Sequence, residues 1–168
     1  MSSPEKRIVQ ACFDGVELLE PDFYEDFRGD YWTVYKQGDS NISFNHDKAT
    51  KSRKLSLRGI HGDFKTTKLI SCLNGEIYCV IVDNRKESKS YLEWRWLMIT
   101  CNNKKSVILP PGVGLSYLVM SESATVLYKL SYDGLYQDAN EQFTIPWNDK
   151  NLGIFWPTKD PILQKRDV

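Results

Sequence analysis

The segment LSLRGIHGDFKTTKLI, residues 55–70, puts Arg58, His61 and Lys68 close together between runs of strand-forming residues. Each has a distinct chemical use. A planar guanidinium grips phosphate or carboxylate in bidentate fashion. An imidazole titrates near neutral pH and takes protons as a general base. A lysine ammonium stabilises an oxyanion. A lone histidine is more often structural than catalytic, so spacing alone does not give His61 a role. A second group, LYKLSYDGLY, carries Tyr128, Tyr132 and Tyr136. A phenol can donate a proton to a developing carbanion or enolate. In a strand Tyr128 and Tyr132 share a face, and plain packing is the competing account. Asp167 reads as a solvated residue in a charged tail, although the apolar Pro161-Ile162-Leu163 before it suggests that the tail docks.

The elements that must hold these residues read as strands. Turn signals recur at 28–30, 37–41, 74–75, 101–105, 110–112 and 132–134. Between them lie runs rich in aromatic and β-branched residues: YWTVY at 31–35, EIYCVIVD at 76–83, SYLEWRWLMIT at 90–100 and TVLYKLS at 125–131. Helical periodicity is confined to a turn or two near 14–26 and near 159–167. Many short strands with frequent turns predict a sandwich or barrel, occupying 1–168 as one domain. In EWRWLM, Glu93, Arg95 and Leu97 take one face and Trp94, Trp96 and Met98 the other. That is the pattern of a sheet with one core face and one wetter face, or of tryptophans lining a ligand cavity. LNGEI reads as a strand entered through a tight Asn74-Gly75 turn.

Composition narrows the function. The 168 residues are 41% apolar and 26% charged, with a formal net charge of zero. This balance speaks against a general nucleic-acid or membrane-surface binder. The polar start MSSPEKRIVQ lacks the apolar core of a signal peptide, and no apolar run is long enough to span a bilayer, so a cytoplasmic protein is expected. The four cysteines, Cys12, Cys72, Cys79 and Cys101, include no CxxC pair and are expected as buried thiols. With only His46 and His61 as imidazoles, a metal site is not expected.

In order and spacing, FRGDYW, LRGIH, KLISCLNGEIYCVIVDNRKES, the PPG turn, LYKLS, WNDKNLGIFWP and the final RDV resemble the dTDP-4-dehydrorhamnose 3,5-epimerase family, from about Phe23 onward. The resemblance implies an all-β, cupin-type jelly roll with short peripheral helices, no metal and no cofactor. A closer likeness, carried by RGIHGD, KTTKL, SESA and DANEQFT, is to a branch acting on GDP-linked 4-keto-heptoses in Campylobacter capsule synthesis. The family resemblance implies His61 as base, Asp167 as the partner that orients it and makes it more basic, Tyr128 as acid and Lys68 at the keto oxygen. Arg58, with Arg28 and Lys48, would hold the diphosphate. His46-Asp47-Lys48 stands where the family has a Gln-Asp-Asn segment lining the sugar pocket. Thr33 replaces a glutamate, and GVGLSYL replaces a stretch that carries a histidine. A homodimer is implied, with FRGDYW crossing to the partner's site.

The activity so implied is epimerisation at C3, or at C3 and C5, of a nucleotide-linked 4-keto-6-deoxy sugar. Two alternatives share the fold: a 3,4-ketoisomerase on a nucleotide sugar, and a non-catalytic module that binds sugar nucleotides.

Overall fold

A computed structural model describes residues 13–168; Cys12 lies outside them. The strands are β1 (Glu17–Leu19), β2 (Phe23–Asp26), β3 (Gly29–Trp32), β4 (His46–Arg53), β5 (Leu57–Gly62) and β6 (Thr67–Asn74). They continue with β7 (Glu76–Asp83), β8 (Trp94–Thr100), β9 (Ser106–Leu109), β10 (Val113–Val119), β11 (Ser123–Ser131) and β12 (Phe143–Thr144). Two five-stranded antiparallel sheets result, in the orders β1-β9-β6-β11-β4 and β12-β5-β10-β7-β8, with β2-β3 as a separate hairpin. This is the all-β, jelly-roll architecture expected.

The apolar alternation explains the packing. Ile70 and Cys72 of β6, Ile77, Cys79 and Ile81 of β7, and Val126 of β11 point between the sheets and are fully buried. Asn74-Gly75 does not close a hairpin within one sheet. It carries the chain from β6 in the first sheet to β7 in the second. Gly75 takes φ 82, and a Cβ there would collide with backbone of β11.

Both outer faces are covered as well. Trp94 and Met98 join Leu57, Ile60, Tyr78 and Val80 under the segment 145–163, which lays Trp147, Ile154, Trp156 and Leu163 on the second sheet. The tryptophan face of β8 is therefore a second core, and Leu97 faces the inter-sheet core. On the first sheet, Val34, Tyr35, Ile42 and Phe44 cover Leu19, Leu69 and Ile108. So the strand read at 31–35 stops at Trp32, because Val34 and Tyr35 serve as a cover instead.

Of the two helical expectations, one is corrected and one holds. Residues 14–26 form β1 and β2, since Leu19 is drawn onto the apolar outer face beside β9 and Phe23–Asp26 folds back on β3. Near 159–167 the chain makes one 3₁₀ turn, Lys165–Asp167. The short peripheral helices reduce, among the described residues, to that turn.

The hairpin is attached by a cation. Lys104, only 3% exposed, places its ammonium 4.4 Å from the Phe23 ring centre and 5.0 Å from that of Trp32, and it pairs with Asp30. Beyond this clasp, Tyr24, Phe27 and Tyr31 are exposed.

Candidate active site

A cleft of about 170 Å³ opens at one end of the space between the sheets. One wall is regular. Strand periodicity puts Lys68, Ile70 and Cys72 of β6 on the inward face; Ile70 and Cys72 enter the core, while Lys68, at the open end, reaches the cleft. Across the ladder Tyr128 sits between Ile70 and Lys48, and Leu130 between Lys68 and His46. Lys48, Lys68 and Tyr128 all line the cleft.

The opposite wall is irregular. Leu57 and Ile60 of β5 point outward into the second core, whereas Arg58 and His61 point into the cleft. Residues three apart on a regular strand would face opposite ways. The pairing register between β10 and β5 shifts between Leu115 and Tyr117, opposite Gly59, and this bulge returns His61 to the inner face. Gly59 takes φ 111, and a Cβ there would collide with the Leu115 carbonyl oxygen and lie 2.8 Å from the Ser116 Cα. Arg58 donates from Nε to the Ser52 hydroxyl at 3.0 Å, which sets the guanidinium at the cleft's edge.

The docked tail completes the site. Asp167 is fully buried, not solvated. Its Oδ1 accepts the Gly59 N–H at 3.3 Å and its Oδ2 accepts the Gln164 N–H at 3.1 Å, so the tail is tied to the bulge itself. His61 Nε2 stands 2.9 Å from Asp167 Oδ1, close enough for the carboxylate to hold the ring. The 3₁₀ turn also places Arg166 in the cleft, where it donates to the Gln142 side-chain oxygen at 3.0 Å.

Electrostatics set the protonation states. Burial, then the Arg166 charge, push the His61 imidazole down to about 4, outweighing the upward pull of Asp167. Asp167 does make the imidazole more basic, as expected, but burial and the neighbouring cations prevail, so the imidazole is neutral at pH 7 and able to accept a proton. Burial, with Tyr117 nearby, raises the Tyr128 phenol well above its usual range, so it keeps its proton. Burial lowers the Lys68 ammonium, and Lys48 and Arg166 add to this, while Asp63 opposes it.

Of the residues singled out in the sequence, Arg58, His61, Lys68, Tyr128 and Lys48 meet in the cleft, with Asp167 behind His61. His46 does not line it: its Nδ1 is 2.9 Å from the Tyr132 hydroxyl, and its ring packs edge-on against Tyr136. Arg28 is held at the exposed hairpin turn by Asp26, at 2.6 Å, away from this chain's cleft. Sequence reasoning missed Arg166, Gln142 and Gln164, all of which line it. The available signal was only the expectation that the tail docks.

A family model described as dTDP-4-dehydrorhamnose 3,5-epimerase matches residues 10–168. The chain belongs to that family. A Salmonella typhimurium dTDP-4-dehydrorhamnose 3,5-epimerase is 32% identical over 171 residues, covering 96% of this chain and 92% of the relative. The solved Bacillus anthracis enzyme of that name, with TDP and PPi bound, superposes with a TM-score of 0.89 at 30% identity, covering 96% of this chain and 95% of the other. A Legionella pneumophila dTDP-6-deoxy-D-glucose-3,5-epimerase in complex with dTDP-4-keto-L-rhamnose also gives 0.89, at 27% identity and 97% and 90% coverage. Membership makes the chain a sugar-nucleotide epimerase, an isomerase. The narrower likeness to GDP-heptose enzymes of capsule synthesis is not supported by these relatives, whose names carry thymidine-linked sugars. Among the described residues, no helix is long and apolar enough to cross a membrane.

Proposed function

We propose that this protein inverts C3 and C5 of a dTDP-linked 4-keto-6-deoxyhexose by removing and returning the protons beside the ketone. The observation that carries the reading is that a neutral imidazole and a protonated phenol face one cleft from opposite sheets, His61 on β5 and Tyr128 on β11. Inversion needs that opposition. A base must take the proton from one face of the ring and an acid must return one to the other.

The chemistry follows from the ketone. A proton on a neighbouring carbon is acidic because the carbanion becomes an enolate whose charge rests on oxygen. His61 takes the proton, with Asp167 orienting the ring. Lys68, on the floor beside Tyr128, stabilises the enolate oxygen. Tyr128 then delivers its proton from the far side. Arg58, Lys48 and Arg166 supply positive charge for the diphosphate, and among the described residues no carboxylate lines the cleft to oppose it. The thymidine carrier is supported by the relatives' names and bound ligands.

A second reading, a GDP-linked 4-keto-6-deoxy-heptose, is what the narrower sequence likeness implies. Lys48 reaches the cleft from the His46-Asp47-Lys48 segment, where the family resemblance leads one to expect Gln-Asp-Asn, so the sugar pocket departs from the dTDP-rhamnose pattern without selecting a nucleotide base. We also propose a homodimer: the aromatic hairpin offers exposed Tyr24, Phe27 and Tyr31 as a surface, and the family resemblance implies that this hairpin, which carries Arg28, crosses to a second copy's cleft. A monomer by light scattering would overturn that assignment.

The test is proton NMR in deuterium oxide. Exchange at C3 and C5 of dTDP-4-keto-6-deoxyglucose is expected. Exchange only with the GDP-heptose keeps the mechanism and replaces the substrate, and exchange at C3 alone limits the inversion to that carbon. His61→Asn should cut deuterium uptake by about 10²–10⁴; full uptake in that variant would remove His61 as base.

A further inference from the structure

The hydroxyl network behind Tyr128 has not been used by the chemistry above. Tyr117, on β10, is 1% exposed, yet its ring borders the cleft and its hydroxyl is 2.7 Å from the Thr50 hydroxyl on β4. That bond joins the two sheets beside the acid, since β10 belongs to one and β4 to the other. The Tyr117 and Tyr128 rings are 6.5 Å apart and tilted at 48°. Burying a tyrosine hydroxyl is costly unless it is bonded, and a phenylalanine would fill the same space without that cost. Thr50 is partly exposed and lines the same cleft, so its hydroxyl is within reach of water.

We propose that Tyr117, held by Thr50, is a positioning residue for Tyr128 and the group through which Tyr128 regains its proton after each inversion. The inference rests on the assignment of Tyr128 as acid. In the step, Tyr128 gives its phenolic proton to the enolate carbon, forming the new C–H bond. As one concerted shift, the Tyr117 hydroxyl proton moves to Tyr128, the Thr50 proton moves to Tyr117, and a water at the cleft mouth reprotonates Thr50. His61 returns the abstracted proton to water, so no net proton is gained. Burial first, and then the neighbouring Tyr117, keep the proton on Tyr128 at rest.

The experiment follows C3 deuterium exchange and net inversion in Tyr117→Phe, Thr50→Val, Thr50→Ser and Tyr128→Phe. In Tyr117→Phe, inversion should fall about tenfold, the order carried by one hydrogen bond. KM should stay within about twofold and exchange should continue at the wild-type rate, so the ratio of exchange to inversion rises about tenfold. Thr50→Val should move the ratio in the same direction, and Thr50→Ser, which keeps the hydroxyl, should restore it. If Tyr117→Phe inverts at full rate while Tyr128→Phe does not, the role of Tyr117 is overturned and the acid assignment stands. If exchange and inversion fall together, Tyr117 is merely structural and the proposal is overturned. If Tyr128→Phe itself inverts normally, the acid assignment falls and takes the relay with it.

Discussion

The two walls of the cleft solve one problem by opposite means. On the first sheet, Lys68 and Tyr128 arrive by unbroken alternation, each one step along an inward row whose other members are core residues. On the second, Arg58 and His61 reach the cleft only because β5 is interrupted at Gly59 and the tail is tied to the interruption through Asp167. The proposed base therefore depends on a local backbone shape, whereas the proposed acid depends on the general pattern of the sheet. Substitutions near the base should be costly to the fold, and those at the acid should be costly only to the chemistry.

The largest expected effect tests that dependence at its origin. Gly59→Ala should lose about 3 kcal/mol or more, read by urea unfolding, because its Cβ meets backbone on β10 and its φ is positive. Gly153→Ala, also at positive φ but with open space around it, should cost about 1 kcal/mol. Equal costs would break the contrast between a shaped wall and an ordinary turn.

Next is pH. The neutral imidazole is the working form, so kcat/KM should rise with pH through a midpoint of about 4 and be flat near neutrality. Stability shares the cause. The folded pKa lies below the ordinary 6.5, so as pH falls the unfolded chain binds the proton first. The His61 contribution is thus complete above about 6.5 and is lost as pH drops through about 4. A His61→Asn variant should show a shallower loss in that window when melting temperature is followed against pH. Arg166→Gln sharpens the point: without that charge the acid limb of kcat/KM should move towards higher pH, and an unmoved limb would leave burial and the Lys68 charge as the causes.

The smallest effect belongs to the regular wall. Tyr128→Phe should change stability by less than about 1 kcal/mol while removing net inversion, because the ring stays and the alternation around it is untouched. A large loss of stability would show that the acid, too, is built into the fold.

The same contrast explains what could be read from the residues. EIYCVIVD is β7, and TVLYKLS lies within β11, because alternating or continuous apolar runs leave a strand little choice. Tyr128 and Lys68 were legible for that reason. Arg58 and His61 were legible as types, but their convergence was not, since two residues three apart on an ideal strand diverge; only the glycine between them hinted at a bulge. Residues 14–26 and 33–35 misled because their apolar side chains answer to a distant sheet face. Arg166 was hidden in a charged ending that resembles ordinary solvated sequence. The Asp167 carboxylate was reachable only through the family resemblance, because burial of a residue so near a polar tail depends on the tertiary tie to Gly59.

The cations of the cleft carry a further consequence. Lys48, Arg58, Lys68 and Arg166 crowd one small space, and the mutual effect of Lys48 and Arg166 on Lys68 shows that they feel one another. An empty cleft of this kind is a cage of like charges that the rest of the fold must hold shut. The proposed diphosphate would then be more than cargo: it would be the counterion that lets the cage relax. Heat tolerance should accordingly follow the supply of substrate in the cell, and the enzyme would persist longest where its own chemistry is in demand.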